Sequence, residues 1–244
     1  LPNDTDLTVF REDADIEGFN FAFIDDHFDY HTALDTQPRL DRETLAHQGS
    51  YLMPLLEYFS AADLGDMKSL NEEVYFNVPV FRLISYPFEW RWPMMSIGLL
   101  LFLLILARGL SRKRLGVKGM VTGLLPMLII LLVNGLAGYF LWPVLKSLYP
   151  RYSDILHGFT YNGYFYIAAL AAFSLAVCFQ VYARFRNIPL RELLAAPILL
   201  WLLICGGLSY YLPGAAFFII PVYGVLLAWM ILVSQDGPNP YLLV

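Results

Sequence analysis

The longest stretches without a charged side chain set the strongest limit on what this 244-residue chain can become. Lys118 to Lys146 encloses 27 residues free of Asp, Glu, Lys, Arg and His, His157 to Arg184 encloses 26, and Glu192 to Asp236 encloses 43. A helix needs about 20 apolar residues to cross about 30 Å of hydrocarbon. The first two intervals each fit one span. The third fits two, divided at Pro213-Gly214. A shorter interval, Arg91 to Arg108, encloses 16 residues and is lengthened by Trp90, Trp92 and the snorkelling arms of its flanking arginines. Soluble core helices keep a polar face, and these segments keep none. The pattern predicts an all-α polytopic bundle of about five helices, near 92–108, 120–142, 161–183, 193–211 and 215–233, with a tail at 236–244.

Charge divides the chain in two. Residues 1–92 carry a net −12 and residues 93–244 a net +7, and only 15% of all residues are charged against 58% hydrophobic. Two parts in two different solvents explain such a split. The 108–119 and 184–192 loops hold eight of the ten basic residues of 93–244, so the positive-inside rule places them in the cytoplasm. Residues 1–92 then face the periplasm, the cell exterior or an organelle lumen. Trp90, Trp92, Trp142, Tyr161, Tyr164, Tyr210 and Tyr211 fall at the outer ends of the spans, as an interfacial belt would. The lipid bilayer is the first expected partner. An acidic exterior argues against nucleic acid.

Spans two to five lack the ionisable group that coupled transporters keep at mid-membrane. Asn134 and Gln180 are expected to make interhelical hydrogen bonds. Pro126, Pro197 and Pro221 are expected to kink or break helices. The Gly119-to-Gly123 spacing is a weak packing signal. Cys178 and Cys205 both sit in spans, and no disulfide is expected.

In the outer portion, residues 5–10 suit a short helix and 19–24 a buried strand. The polar run Asp25-Asp26-His27-Phe28-Asp29-Tyr30-His31-Thr32 follows, at the carboxyl end of that strand, where α/β sheets collect ligands. On local residues alone the acidic cluster is a solvated loop, and His27 and His31 are loop histidines. Asp41 is placed to cap a helix over 42–60 whose apolar positions are Leu45, Leu52, Leu55 and Phe59. Residues 74–90 read as an extended connection in which Pro79 and Pro87 limit regular pairing. The expected layout is 1–62 as one domain end, 63–92 as a link and 93–235 as the bundle. Both chain ends read as cut, so a longer parent is expected.

The run from Thr5 to Phe10, then Gly18 to Phe23, then Tyr30-His31-Thr32-Ala33-Leu34-Asp35-Thr36, resembles the closing segment of the catalytic domain of M28 zinc metallopeptidases. The extended link and multi-span bundle are similar to the membrane-anchored branch of that family, the endoplasmic-reticulum metallopeptidase and vacuolar membrane protease types and their bacterial relatives. The resemblance implies that residues 1–62 are the C-terminal fragment of an α/β zinc-peptidase domain. It implies an aminopeptidase-type hydrolase with two zinc ions, a peptide substrate, and His31 as the last metal ligand. Tyr30 matches the position whose phenol hydrogen-bonds the oxyanion, and its other reading is a packed aromatic. By the same comparison Asp6 is structural, and Asp35 is structural or supports a metal ligand without binding the metal itself.

Thirty residues precede His31, too few for the remaining ligands and the general base, so these must come from an upstream part of the same domain. Glu72-Glu73 follows His31, in the wrong order, and reads as a solvated acidic turn. The chain alone is expected to be inactive. Two other readings share the layout: a non-enzymatic receptor or scaffold with a metal-free M28-like domain, and a transporter with an extracytoplasmic lid.

Overall fold

A computed structural model of the chain describes residues 5–16, 18–21, 29, 32–66, 71–79, 82–155 and 160–235. Contacts divide it into two compact units, one of 1–70 with 154–161 and one of 71–153 with 162–244.

The first unit is built on two helices. α1 spans Asp6–Ala14, beyond the expected 5–10, and ends where Asp15 turns into the left-handed region at φ 53°. α2 spans Arg42–Ala61. Asp41 caps it as expected: its carboxylate accepts the Glu43 N–H at 2.9 Å and the Thr44 hydroxyl at 2.8 Å. The strand expected over 19–24 does not form across the part described. Phe19 to Phe21 have no strand pairing and stay exposed, and residues 22–24 lie outside the described residues. The two phenylalanines stack on α2 instead, Phe19 on Phe59 at 5.6 Å and Phe21 on Tyr51 at 4.8 Å. The half-covered stripe of α2 is therefore Thr44, Gln48, Tyr51, Leu55 and Phe59, while Leu45 and Leu52 remain exposed. Among the described residues this unit holds helices only.

The second unit opens with a hairpin. β1 (Glu73–Val78) and β2 (Arg82–Pro87) pair antiparallel from Glu73↔Pro87 to Val78↔Arg82. The extended connection is thus regularly paired, against expectation. Pro79 sits in the turn and Pro87 at the last position of its strand, where neither interrupts the ladder.

Five helices long and apolar enough to cross a membrane follow, with spans Phe88–Ser111, Val117–Leu148, Gly163–Arg184, Leu190–Tyr211 and Pro213–Ser234. The first is carried by α3 (Arg91–Ser111), the next two by α4 (Val117–Leu148) and α5 (Gly163–Arg184). The fourth begins as a single turn, α6 (Leu190–Leu193), and continues after a break at Leu194 as α7 (Ala195–Tyr211). The fifth enters through a 3-10 segment, Pro213–Phe218, into α8 (Ile219–Ser234). Pro197 and Pro221 lie in the first turn of α7 and α8, where a missing N–H costs nothing. Pro126 lies inside α4, which stays unbroken.

The core joins α3, α7 and α8. Trp229 is 0% exposed, stacks on Phe102 at 5.3 Å, and donates its indole N–H to the Arg191 carbonyl at 2.7 Å. Leu202, Ile219, Leu226 and Cys205 fill the space around it. The hairpin rests on the segment leading into α8: Val74 is fully buried and Phe76 stacks on Phe217 at 4.8 Å. α4 and α5 form a helical pair of their own. The Ser174 hydroxyl donates to Asn134 Oδ1 at 2.7 Å, which is the interhelical bond expected of Asn134. Gln180 makes none among the described residues and is exposed on α5. Both cysteines are free thiols.

The Gly119-Gly123 spacing marks the closest approach of α4 to the core. A Cβ on Gly123 would lie 3.3 Å from the Leu193 Cα, and a Cβ on Gly119 would overlap a Glu192 carboxylate oxygen. That carboxylate also accepts the Gly116 N–H at 2.9 Å, just ahead of α4, so an acid from another element caps this helix.

Gly119→Ala therefore displaces the Glu192 side chain and breaks its bond to Gly116. A loss of about 1.5–3 kcal/mol is expected, the worth of a hydrogen bond to a charged group. In thermal unfolding of the detergent-solubilised protein, Glu192→Ala should cost a similar amount. The double variant should lose little more than either single one, since both remove one contact. Asn134→Leu should cost about 0.6–1.7 kcal/mol by the same measurement, the range of measured interhelical bonds in membranes.

Candidate functional site

The described residues that flank the expected site positions are tied to one another and to Arg39. Before those positions, Asp29 takes a two-pronged bond from Arg39, with Nε to Oδ2 at 2.6 Å and a terminal nitrogen to Oδ1 at 2.9 Å. After them, Thr32 folds back on Asp29. Its N–H and its hydroxyl both donate to the Asp29 carbonyl, at 3.0 and 2.7 Å. The Thr32 oxygens then anchor the next turn, accepting the Leu34 N–H at 3.1 Å and the Asp35 N–H at 3.2 Å. Asp29 and Thr32 are thus bonded to one another on either side of the expected site positions. Asp29 is a clamped carboxylate and not part of a solvated acidic run.

Tyr30 and His31 themselves lie outside the described residues, as do Asp25, Asp26 and His27. Asp35 is exposed and contributes its backbone N–H. Asp6 is exposed in the first turn of α1, and Asn20 donates to the neighbouring Thr5 hydroxyl at 3.4 Å. His47 sits on α2 edge-on to Tyr51 at 5.3 Å. Glu72 and Glu73 are exposed at the base of the hairpin, in the second unit, where the Glu72 carbonyl accepts the Phe88 N–H at 3.2 Å. Among the described residues no three His, Cys, Asp or Glu side chains converge as a metal site would require. These residues do not by themselves fit a zinc centre.

The Arg39 clamp is the feature that sequence reasoning missed. Nothing in a ten-residue Asp–Arg separation signals an ion pair, because the turn between them decides whether they meet. The Asp41 cap was legible, and its two hydrogen bonds hold that carboxyl below the ordinary aspartate value of 3.8, the Thr44 hydroxyl contributing most.

Comparison with known proteins finds three distant relatives by sequence. The chain is 30% identical over 90 residues to endoplasmic reticulum metallopeptidase 1 of Rattus norvegicus, covering 36% of this chain and 10% of the relative. It is 29% identical over 90 residues to the proteins of the same name from Homo sapiens and Mus musculus, with the same coverage. The match spans about a tenth of the length of these curated relatives. No family model matches, and no solved structure matches. The chain is thus distantly related, over about a third of its length, to metallopeptidases.

Two outcomes follow from this geometry. Arg39→Ala should weaken hydrogen-exchange protection of the Thr32, Leu34 and Asp35 amides, while lowering stability by at most about 1 kcal/mol, because the pair is partly exposed. The Asp41 cap is fully present above the unfolded carboxyl value and is lost as pH falls below it through the lower folded value. Protection factors at the start of α2, taken relative to the intrinsic exchange rate at each pH, should therefore fall on acidification below about pH 4. In Asp41→Asn that acid-dependent step should disappear.

Proposed function

We propose that the chain is the C-terminal portion of a membrane-bound, zinc-dependent peptidase of the M28 type, hydrolysing peptide bonds outside the cytoplasm. The similarity to endoplasmic reticulum metallopeptidase 1 carries this reading. The Tyr30-His31-Thr32-x-x-Asp35-Thr36 run and the five apolar helices support it.

In this reading His31 is the last zinc ligand, one position before Thr32 in the sequence. Tyr30, beside it, donates its phenol to the oxyanion of the tetrahedral intermediate. Zinc held by His31 and the upstream ligands would supply Lewis-acid chemistry and a water of lowered pKa. The remaining ligands and the general base belong to an upstream part of the same domain. α2 supports such a partner. It has no buried residue along its 20, and Leu45, Leu52 and Leu56 stand exposed on it, a face that a complete domain would cover. The basic loops face the cytoplasm and the hairpin end of the bundle faces the lumen, periplasm or exterior, by the positive-inside rule.

In the intact protein, His31→Ala should lower both bound zinc, measured by atomic emission, and peptidase rate. Tyr30→Phe should keep its zinc and lose about 100- to 1000-fold in kcat, the cost of one oxyanion donor. Unchanged metal and rate in His31→Ala would remove this histidine from the mechanism. These 244 residues alone should neither bind zinc stoichiometrically nor cleave peptides.

A further inference from the structure

The loops after α3 and α5 meet at one end of the bundle. Glu192, just past the second loop, bonds Gly116 in the first, and Arg114 donates to the Gln235 carbonyl at the end of α8 at 2.7 Å. This end presents Arg108, Arg112, Lys113, Lys118, Arg184 and Arg186, all exposed. Among the described residues none of these six makes an ion pair. Glu192 is the acid among the described residues here, and its carboxylate accepts the Gly116 N–H and lies against Gly119. Asp236 follows in the sequence, outside the described residues. A ring of unneutralised guanidinium and ammonium groups thus sits at the ends of helices suited to hydrocarbon.

We infer that this rim is a binding surface for the headgroups of anionic phospholipids in the adjoining leaflet. The observation behind it is the juxtaposition of two basic loops whose one described carboxylate is already occupied. Guanidinium groups take phosphate oxygens in a fork, and lysines add point charge. Each basic side chain near an anionic leaflet contributes roughly a fivefold preference. The surface rests on the reading of the helices as membrane spans, and on neither the peptidase assignment nor His31.

The test reconstitutes the intact protein into phosphatidylcholine vesicles carrying spin-labelled phosphatidylglycerol or spin-labelled phosphatidylcholine, and compares the fraction of each probe immobilised at the protein. Phosphatidylglycerol should associate at least about fivefold more strongly than phosphatidylcholine. The preference should collapse at about 1 M salt, where screening reaches about 3 Å. A variant with Arg112→Gln, Lys113→Gln, Arg184→Gln and Arg186→Gln should lose most of it at low salt. Its unfolding temperature in pure phosphatidylcholine should match that of the parent, because all four side chains are exposed. If the fourfold variant does not fold, the two pairs made separately should each lose part of the preference.

Equal association of both lipids with the parent protein would overturn the proposal, as would a preference that survives the substitutions. Abolition of the preference by excess inorganic phosphate at constant ionic strength would assign the site to a free anion and overturn it also. Failure of the protein to remain in vesicles after an alkaline carbonate wash would instead overturn the membrane reading beneath it.

Discussion

Trp229 holds the second unit together. Its ring is enclosed by α3 and α7 and stacked on Phe102, and its N–H is bonded to the carbonyl of Arg191. That one bond ties the end of α8 to the short α6 turn. With α6 placed, Glu192 reaches the start of α4, and Gly119 and Gly123 let the two backbones close. The α4–α5 pair is therefore seated on the core through a polar contact that the Trp229 packing positions. The remaining faces of α4 and α5 are apolar and exposed, which suits a hydrocarbon solvent and would be a liability in water.

At the other end, the hairpin makes the entry into the bundle a fixed structure. Val74 and Phe76 dock on the 213–218 segment, so the chain reaches Arg91 through paired strands and not a loose tether. Tyr223 adds a second tie on the same end, donating to the Met94 carbonyl at 2.5 Å. The first unit differs in kind. α2 is capped by Asp41 yet buries little, and Asp29 is held by Arg39.

Much of the bundle was legible because the bilayer imposes a length and a composition that chance seldom meets. The four charge-free intervals, the Pro213-Gly214 division, the Asp41 cap and the Asn134 hydrogen bond follow from single-residue chemistry. Tertiary choices did not show. Phe19 and Phe21 alternate like a strand, but two aromatic rings on α2 offer them more contact than any strand partner present. Pro79 and Pro87 looked like obstacles to pairing, and became harmless because the turn and the strand end fall on them. Gly119 carried a packing signal, whereas its partner, a carboxylate 73 positions later, left no mark in the sequence. The candidate site was legible only through resemblance, since a Tyr-His pair in a polar loop has no chemistry of its own until other ligands join it.

The account turns on where the His31 imidazole sits in the whole polypeptide. Zinc-edge anomalous diffraction from crystals of the intact protein measures this directly. The account predicts an anomalous peak about 2.0–2.1 Å from a ring nitrogen of His31, the usual zinc–imidazole distance. A metal centre formed without that ring, or none in a protein that still hydrolyses peptides, would contradict it.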